Sequence, residues 1–350
     1  MTVVSPPRPR PALPVSDRLV ARLVDHFADR ARLDEPLGPR CTYRVGGRAR
    51  ALVAVATTDE LAALATLLAA EHDPARPDAR VAVLVVGRGS NLLVADRGFD
   101  GIAVELGPTF ATVDVDGVTV SAGAAAALPV VARRTAAAGL TGFEWAVGVP
   151  GSIGGAVAMN AGGHGSDLAA SLVAVDVVDL YATTPTDGDT DRYADSVVRR
   201  VAAADLQLAY RSSALAPHQL VVRAELALHR GDPDASRALI DEIVAWRLAN
   251  QPGGHNAGSV FANPPGDSAG RLIDVAGVKG LRRGSAEVSV KHANFIQVDA
   301  GGSADDVFAL MGEVRRRVLE AGGPRLEPET RLVGFDRPLP PDDLAGEAGR

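Results

Sequence analysis

Apolar residues along this chain fall into two rhythms. Short runs of β-branched and small residues, "RALVAVA" from Arg50, "VAVLVV" from Val81, "IAVEL" from Ile102, "VTVSAG" from Val118 and "LVAVDVVDL" from Leu172, read as strands. Between them lie Ala-rich stretches with helical spacing, "TDELAALATLLAAEH" from Thr58 and "LPVVARRTAAAG" from Leu128. From Thr42 to about Val222 this alternation predicts a mixed α/β unit. A second unit is predicted to open with the helix "DASRALIDEIVAWRLAN" from Asp234. It continues through "GSVFANP", "RLIDVAG", "AEVSV" and "NFIQV" to a long helix, "ADDVFALMGEVRRRVLEAG", and a closing strand, "TRLVGF". Upstream, Ser16 is placed to cap a helix carrying Leu19, Leu23, Val24 and Phe27 on one face. The Pro/Arg-rich residues 1–15 before it read as disordered, the acidic end from Asp336 as a tail, and "VVDLYATTPTDGDTDRYADS" from Val177 as a polar hairpin with an Asp-Gly turn.

Composition narrows the function classes. A chain of 350 residues is long for one core, so two or three packed units are expected. With 43 acidic against 36 basic residues, net charge -7 and no basic block, nucleic acid is not an expected partner. The single cysteine, Cys41, excludes an internal disulfide and fits a reducing compartment. The start lacks the apolar core of a signal peptide, and no run approaches the roughly 20 apolar residues of a membrane span. A cytoplasmic protein without a membrane partner is expected.

Two glycine clusters could carry chemistry. An apolar strand, Val81 to Val86, runs into Gly87, Arg88, Gly89, Ser90, Asn91 and Leu92, where small residues let backbone N–H groups approach an anion closely. This is not a Rossmann fingerprint, because the third glycine is missing and "NLLVADRGF" is too short and turn-like for the required helix. The second cluster, Gly148 to Gly165, places Gly151, Ser152, Gly154 and Gly155 around a predicted helix start, a ready diphosphate site. Either cluster alone also reads as a tight turn in a glycine-rich chain. Arg211 closes an apolar segment and serves equally as a surface ion-pair partner or a carboxylate clamp. Ser259 reads as a strand start beside a turn, Glu327 and Glu329 as a pair sharing one face of an extended chain, and His292 as a structural histidine or a base. No Cys/His spacing suggests a metal.

"TYRVGG" from Thr42, "GRGSNLLV" from Gly87, "GVPGSIGGAVAMNAGGHG" from Gly148, "YRSS" from Tyr210, "AGSVFANPPGDSAGRLIDVAGVKG" from Ala257, "KHANFI" from Lys291 and "LEPETR" from Leu326 stand in one informative order. In that order and spacing, from about Thr42 to Phe335, the chain resembles the UDP-N-acetylenolpyruvoylglucosamine reductase family, the MurB enzymes. The resemblance implies an α+β protein: a two-part FAD-binding region of the vanillyl-alcohol-oxidase type, then a MurB-type α+β substrate domain. The implied boundaries are a variable extension at 1–36, FAD lobes at about 37–108 and 109–228, a substrate domain at 229–336 and a tail at 337–350. The implied activity transfers hydride from NADPH through FAD to the enolpyruvyl ether of a UDP-sugar, giving UDP-N-acetylmuramate for peptidoglycan precursors; a monomer is expected.

Carried over residue by residue, the resemblance assigns catalysis to Arg211, Ser259 and Glu329. Cofactor contacts fall on Gly87, Arg88, Gly89, Ser90, Asn91 and Leu92; on Gly148, Val149, Pro150, Gly151, Ser152, Gly154 and Gly155; and on Asn160, Ala161, Gly162 and Gly165. Substrate contacts fall on Tyr210, Asn263, Lys291, His292 and Asn294. Neither the Gly87–Leu92 turn nor the Val149–Gly155 turn holds a cysteine or histidine for a flavin tether and His164 is only a weak candidate, so non-covalent FAD is expected. The chain departs from the family pattern at His164, usually tyrosine, at Ser212 and at Val290. It carries no tyrosine after Tyr210, which places it with the subclass lacking a tyrosine-bearing substrate loop.

Overall fold

The structure, a computed structural model, describes residues 12–71, 75–76, 79–181 and 198–340. The predicted polar hairpin lies largely in 182–197, and most of the tail in 341–350, both outside the described residues.

Three packed units are present. The first is a four-stranded sheet in the order Ala31–Pro36, Arg48–Val55, Phe99–Leu106, Val83–Val85, parallel except for its first pair. Side chains alternate across a strand, so Ile102 and Val104 face the helices Asp17–Phe27 and Thr58–Ala69 while Ala103 faces the opposite core. The second is a five-stranded antiparallel sheet in the order Val198–Ala202, Leu172–Asp179, Gln219–Ala227, Thr119–Gly123, Val113–Asp116, covered by the helices Leu128–Ala137 and Ile153–Met159. Val178, Leu180, Leu220 and Val222 of that sheet enter the core of the first unit and join the two lobes. The third packs the strands Arg282–Arg283, Ala286–Val288 and Ile296–Val298 against the helices Ala269–Val275 and Ala304–Glu320.

The fold corrects several sequence expectations. Residues 12–15 are ordered: Ala12–Leu13 pairs with Arg80–Val81, and Leu13 and Val15 are buried. Ser16 does cap the following helix, accepting from Leu19 N at 3.0 Å, but Val24 turns outward while Leu19, Leu23 and Phe27 are buried in the first lobe's core. With Ala31–Pro36 paired to Arg48–Val55, the first lobe takes in residues assigned above to the extension. The helix Pro233–Asn250 does not open the third unit; Ile240 and Ile243 bury themselves in the second lobe. The expected strand at "GSVFANP" is an irregular extended segment with one bridge, Phe261 to Pro328.

Two joints fix the third unit on the first. The closing strand Arg331–Val333 pairs in parallel with Leu92–Val94, directly after the first glycine turn. Asp96 of the first lobe accepts from Ala304 N at 3.0 Å and Asp305 N at 3.2 Å, capping the helix Ala304–Glu320 alongside its own Ser303. Tyr43 and Val45 of "TYRVGG" complete the third core. Among the described residues no helix is long and apolar enough to cross a membrane, and no cluster of His, Cys, Asp and Glu could hold a metal.

Candidate active site

The two glycine turns meet. Gly89 takes φ +61° because the chain doubles back against Arg40 and Cys41, and Thr42 N donates to Gly89 O at 3.1 Å. Gly87 lies so close to the second turn that a Cβ there would stand 2.6 Å from Ser152 Oγ, and Arg88 Nε donates to Pro150 O at 3.2 Å. The N–H groups from Gly87 to Asn91 find no acceptor among the described residues. A row of unspent donors between two close turns suits the diphosphate of a dinucleotide.

The helix Ile153–Met159 contributes differently from expectation. Its first amides are already used, Ile153 N by Ala126 O and Gly154 N by Ala124 O, both at 2.9 Å. The second turn therefore supplies a wall of small residues more than a helix-end anion site. Replacing Gly89 with alanine should collapse the first turn, since a Cβ would fall 2.0 Å from Arg40 O; left-handed strain alone costs about 1–2 kcal/mol. The Gly89→Ala protein is expected to purify with little flavin and a lowered Tm. A full complement of yellow cofactor would show that this turn does not hold it.

The predicted trio converges from three segments. Arg211, held at φ +56° by reciprocal 3.1 Å backbone bonds between Ala209 and Ser212, donates through Nε to Glu329 Oε1 at 2.6 Å and through an Nη to Gly162 O at 3.0 Å. Burial pushes the Glu329 carboxyl above its ordinary range, and the Arg211 charge offsets only part of that. Glu327 does not share this face: it points outward beside Arg325 at 3.3 Å, so the pair splits and Glu329 alone enters the cleft. Glu329 N and Thr330 N both donate to Val260 O, at 2.9 and 3.4 Å, which sets Ser259 one residue from Glu329's backbone partner. The Ser259 hydroxyl is half-buried and makes no hydrogen bond among the described residues.

Other assigned residues divide by what they already hold. Asn91 is the hinge of the site, with Nδ2 on Glu329 O and its own carbonyl accepting from Arg331 N, both at 3.0 Å. Asn160 is buried in the left-handed conformation and bridges Asp167, Ala209 O and Ala169 N. Tyr210 stacks under the Arg211 guanidinium at 4.9 Å and accepts from Asn263 N. Asn294 is buried, with Nδ2 donating to Phe261 O at 2.8 Å and Oδ1 accepting from Phe261 N at 3.0 Å, so it positions the Ser259 segment. His292 Nδ1 accepts from Asn294 N at 3.3 Å, and its ring packs edge-on to Phe295. Lys291 Nζ caps the helix Pro233–Asn250 at Leu248 O, 2.6 Å. Sequence reasoning missed Asp96, since nothing local signals a cap supplied across some two hundred residues.

Comparison with known proteins fits this arrangement. Residues 250–333 match the model of the UDP-N-acetylenolpyruvoylglucosamine reductase C-terminal domain, and residues 49–184 match an FAD binding domain. The protein named UDP-N-acetylenolpyruvoylglucosamine reductase from Rubrobacter xylanophilus is 41% identical over 306 residues, covering 87% of this chain and 95% of that relative. The chain belongs to the UDP-N-acetylenolpyruvoylglucosamine reductase family. A second relative of that name, from Acidiphilium cryptum, is 42% identical over 307 residues, covering 87% and 92%. The crystal structure of MurB from Thermus caldophilus superposes with a TM-score of 0.68 at 35% identity, covering 87% of this chain and 98% of that one. The family architecture, an FAD-binding region of two lobes followed by a MurB substrate domain, is thus the one observed. Its departure at His164 has a local consequence: the imidazole packs against Gly148 and stands edge-on to Trp246 at 5.2 Å.

Proposed function

We propose that this protein is the FAD-dependent reductase that uses NADPH to convert UDP-N-acetylglucosamine enolpyruvate to UDP-N-acetylmuramate, with Arg211, Glu329 and Ser259 as its catalytic residues. The observation that carries the assignment of residues is the 2.6 Å contact between Arg211 Nε and Glu329 Oε1, 118 positions apart, with Glu329 N donating to the carbonyl of Val260, the residue after Ser259.

The turns Gly87–Asn91 and Gly151–Ser152 would hold the FAD diphosphate, and bound FAD supplies a two-electron carrier between NADPH and the enolpyruvyl carbon. The chain's own groups then meet a specific demand. Hydride at the terminal carbon leaves charge on the neighbouring carbon, spread into the carboxylate as an enolate, and this needs fixed positive charge and donors. Arg211 offers a planar fork to the carboxylate. Glu329, whose carboxyl burial raises above its ordinary range, offers a second polar contact that orients it. Ser259 Oγ delivers the proton that quenches the carbanion; a serine is a weak acid, and the enolate is basic enough to take its proton.

Purified protein should be yellow, bleach on addition of NADPH without oxygen, and recover its colour when the enolpyruvyl substrate is added. Acid precipitation should release the flavin, because no cysteine or histidine lies in either turn, and Cys41 is buried with its thiol pushed up to about 11 by desolvation. Flavin left in the pellet would disprove non-covalent binding, and failure of the substrate to restore the colour would disprove the activity.

A further inference from the structure

We propose that Asn256 is a positioning residue for Ser259, and that it acts through Gly258, the one link of this segment that packing leaves loose. This rests on the reading above, in which the Ser259 hydroxyl delivers the proton. That hydroxyl makes no hydrogen bond among the described residues, so its place is set by the backbone that carries it.

On either side of the pair Gly258–Ser259 the chain is firmly held. Val260 and Phe261 are buried after it, with Val260 N on Asn294 O at 2.9 Å and Phe261 N on Asn294 Oδ1 at 3.0 Å. Before it, Ala257 is buried in the third core together with Tyr43. Gly258 differs from its neighbours. A Cβ built there would meet no other atom within 4 Å, and its φ is +75°. Glycine takes either sign of φ about equally well, so neither sterics nor packing holds this value. A change of sign at Gly258 would re-aim the next residue, and the next residue is Ser259.

Asn256 supplies the missing restraint. Gly258 N donates to Asn256 Oδ1 at 3.0 Å, the bond of an asparagine side chain to its own backbone two residues on. The other arm of the same amide, Nδ2, donates to Gly253 O at 3.1 Å and Gly254 O at 3.3 Å, with Pro252 O at 3.5 Å. These carbonyls stand on a fixed base. Gly253 O also accepts from Gln297 Nε2 at 2.9 Å, and His255 O accepts from Val298 N at 3.1 Å. Asn256 thus passes the rigidity of the strand Ile296–Val298 on to Gly258. Because Gln297 and Val298 hold the preceding loop without it, the loss of Asn256 falls on Gly258 and Ser259. The Arg211–Glu329 contact involves neither Asn256 nor its partners, so the carboxylate clamp stays as it is.

Anaerobic stopped-flow absorbance of flavin-loaded Asn256→Ala protein tests the proposal. The side chain is half-buried in a loop, so alanine removes both arms and leaves no core cavity. Bleaching by NADPH and the Kd for the enolpyruvyl substrate should stay near wild type. Reoxidation should slow about 10- to 100-fold, the scale of a displacement near 1 Å at the reacting group. Asn256→Asp, whose carboxylate still accepts from Gly258 N, should recover most of the rate, which a residue that merely folds the loop through Nδ2 would not allow. In a Ser259→Ala background, Asn256→Ala should slow reoxidation no further, since two changes that act through one hydroxyl are not additive. Three results would overturn the proposal while leaving the reaction in place: normal reoxidation by Asn256→Ala when Ser259→Ala is slow, an aspartate variant as slow as the alanine one, or an undiminished effect of Asn256→Ala in the Ser259→Ala background. Normal reoxidation by Ser259→Ala alone would bring down the proton-donor reading itself, and the positioning role with it.

Discussion

Ser259→Ala protein is expected to bleach with NADPH at close to the wild-type rate and then to be reoxidised by UDP-N-acetylglucosamine enolpyruvate about 100- to 10,000-fold more slowly, the usual worth of a positioned general acid. The two half-reactions separate because no carbanion forms while NADPH is the donor. The structure makes the substitution a clean one. Ser259 Oγ has no hydrogen bond to lose among the described residues, and the backbone around it is held by others: Val260 N on Asn294 O at 2.9 Å, Phe261 N on Asn294 Oδ1 at 3.0 Å, and Val260 O under Glu329 N. Stability should therefore change by no more than about 0.5 kcal/mol. Anaerobic stopped-flow absorbance times each step. Equal slowing of both would mean that Ser259 shapes the flavin site, and unimpaired reoxidation would mean that the proton comes from water.

The strands and helices were legible in the sequence because burial imposes their periods. Val307, Phe308, Met311, Val314 and Val318 are buried along one face of the last helix in the spacing its letters show. Residue order also exposed the motifs, and the resemblance assigned Arg211, Ser259 and Glu329 to one site. What the letters could not carry was partnership across the chain. Nothing in "DASRALIDEIVAWRLAN" says that Ile240 and Ile243 pack backward on the second lobe and not forward on the third. Nothing in "TRLVGF" says that its strand mate is Leu92–Val94. Asn294 and Lys291 sit in a motif that the resemblance assigns to substrate, and each also bonds within the protein, Asn294 Nδ2 to Phe261 O and Lys291 Nζ to Leu248 O. Such assignments depend on which donors remain free after folding, and that is a tertiary property.

Arg211→Lys should lower turnover about 100- to 1,000-fold, the scale of losing a preorganised transition-state donor, with flavin content unchanged. Lysine keeps the charge, and it bears the same φ +56° strain as arginine, so the comparison isolates the planar fork. That fork at present spans Glu329 and Gly162 O, contacts 2.6 and 3.0 Å long that a single ammonium cannot reproduce together with a substrate carboxylate. Glu329→Gln probes the same clamp through pH. Because burial raises the Glu329 carboxyl, its proton is held at low pH and released as pH climbs through the raised value, leaving a carboxylate that repels the substrate's own. Affinity for the enolpyruvyl substrate should thus fall with rising pH in the wild type, and the permanently neutral amide should flatten that limb. The same shift makes the folded state hold the proton more tightly than the unfolded chain, so Glu329 costs stability above its ordinary range, and the glutamine variant should lose that dependence too. If Arg211→Lys turns over normally, Arg211 is only an ion-pair partner. A Glu329→Gln protein whose substrate affinity keeps the wild-type slope with pH would remove the carboxyl from the clamp.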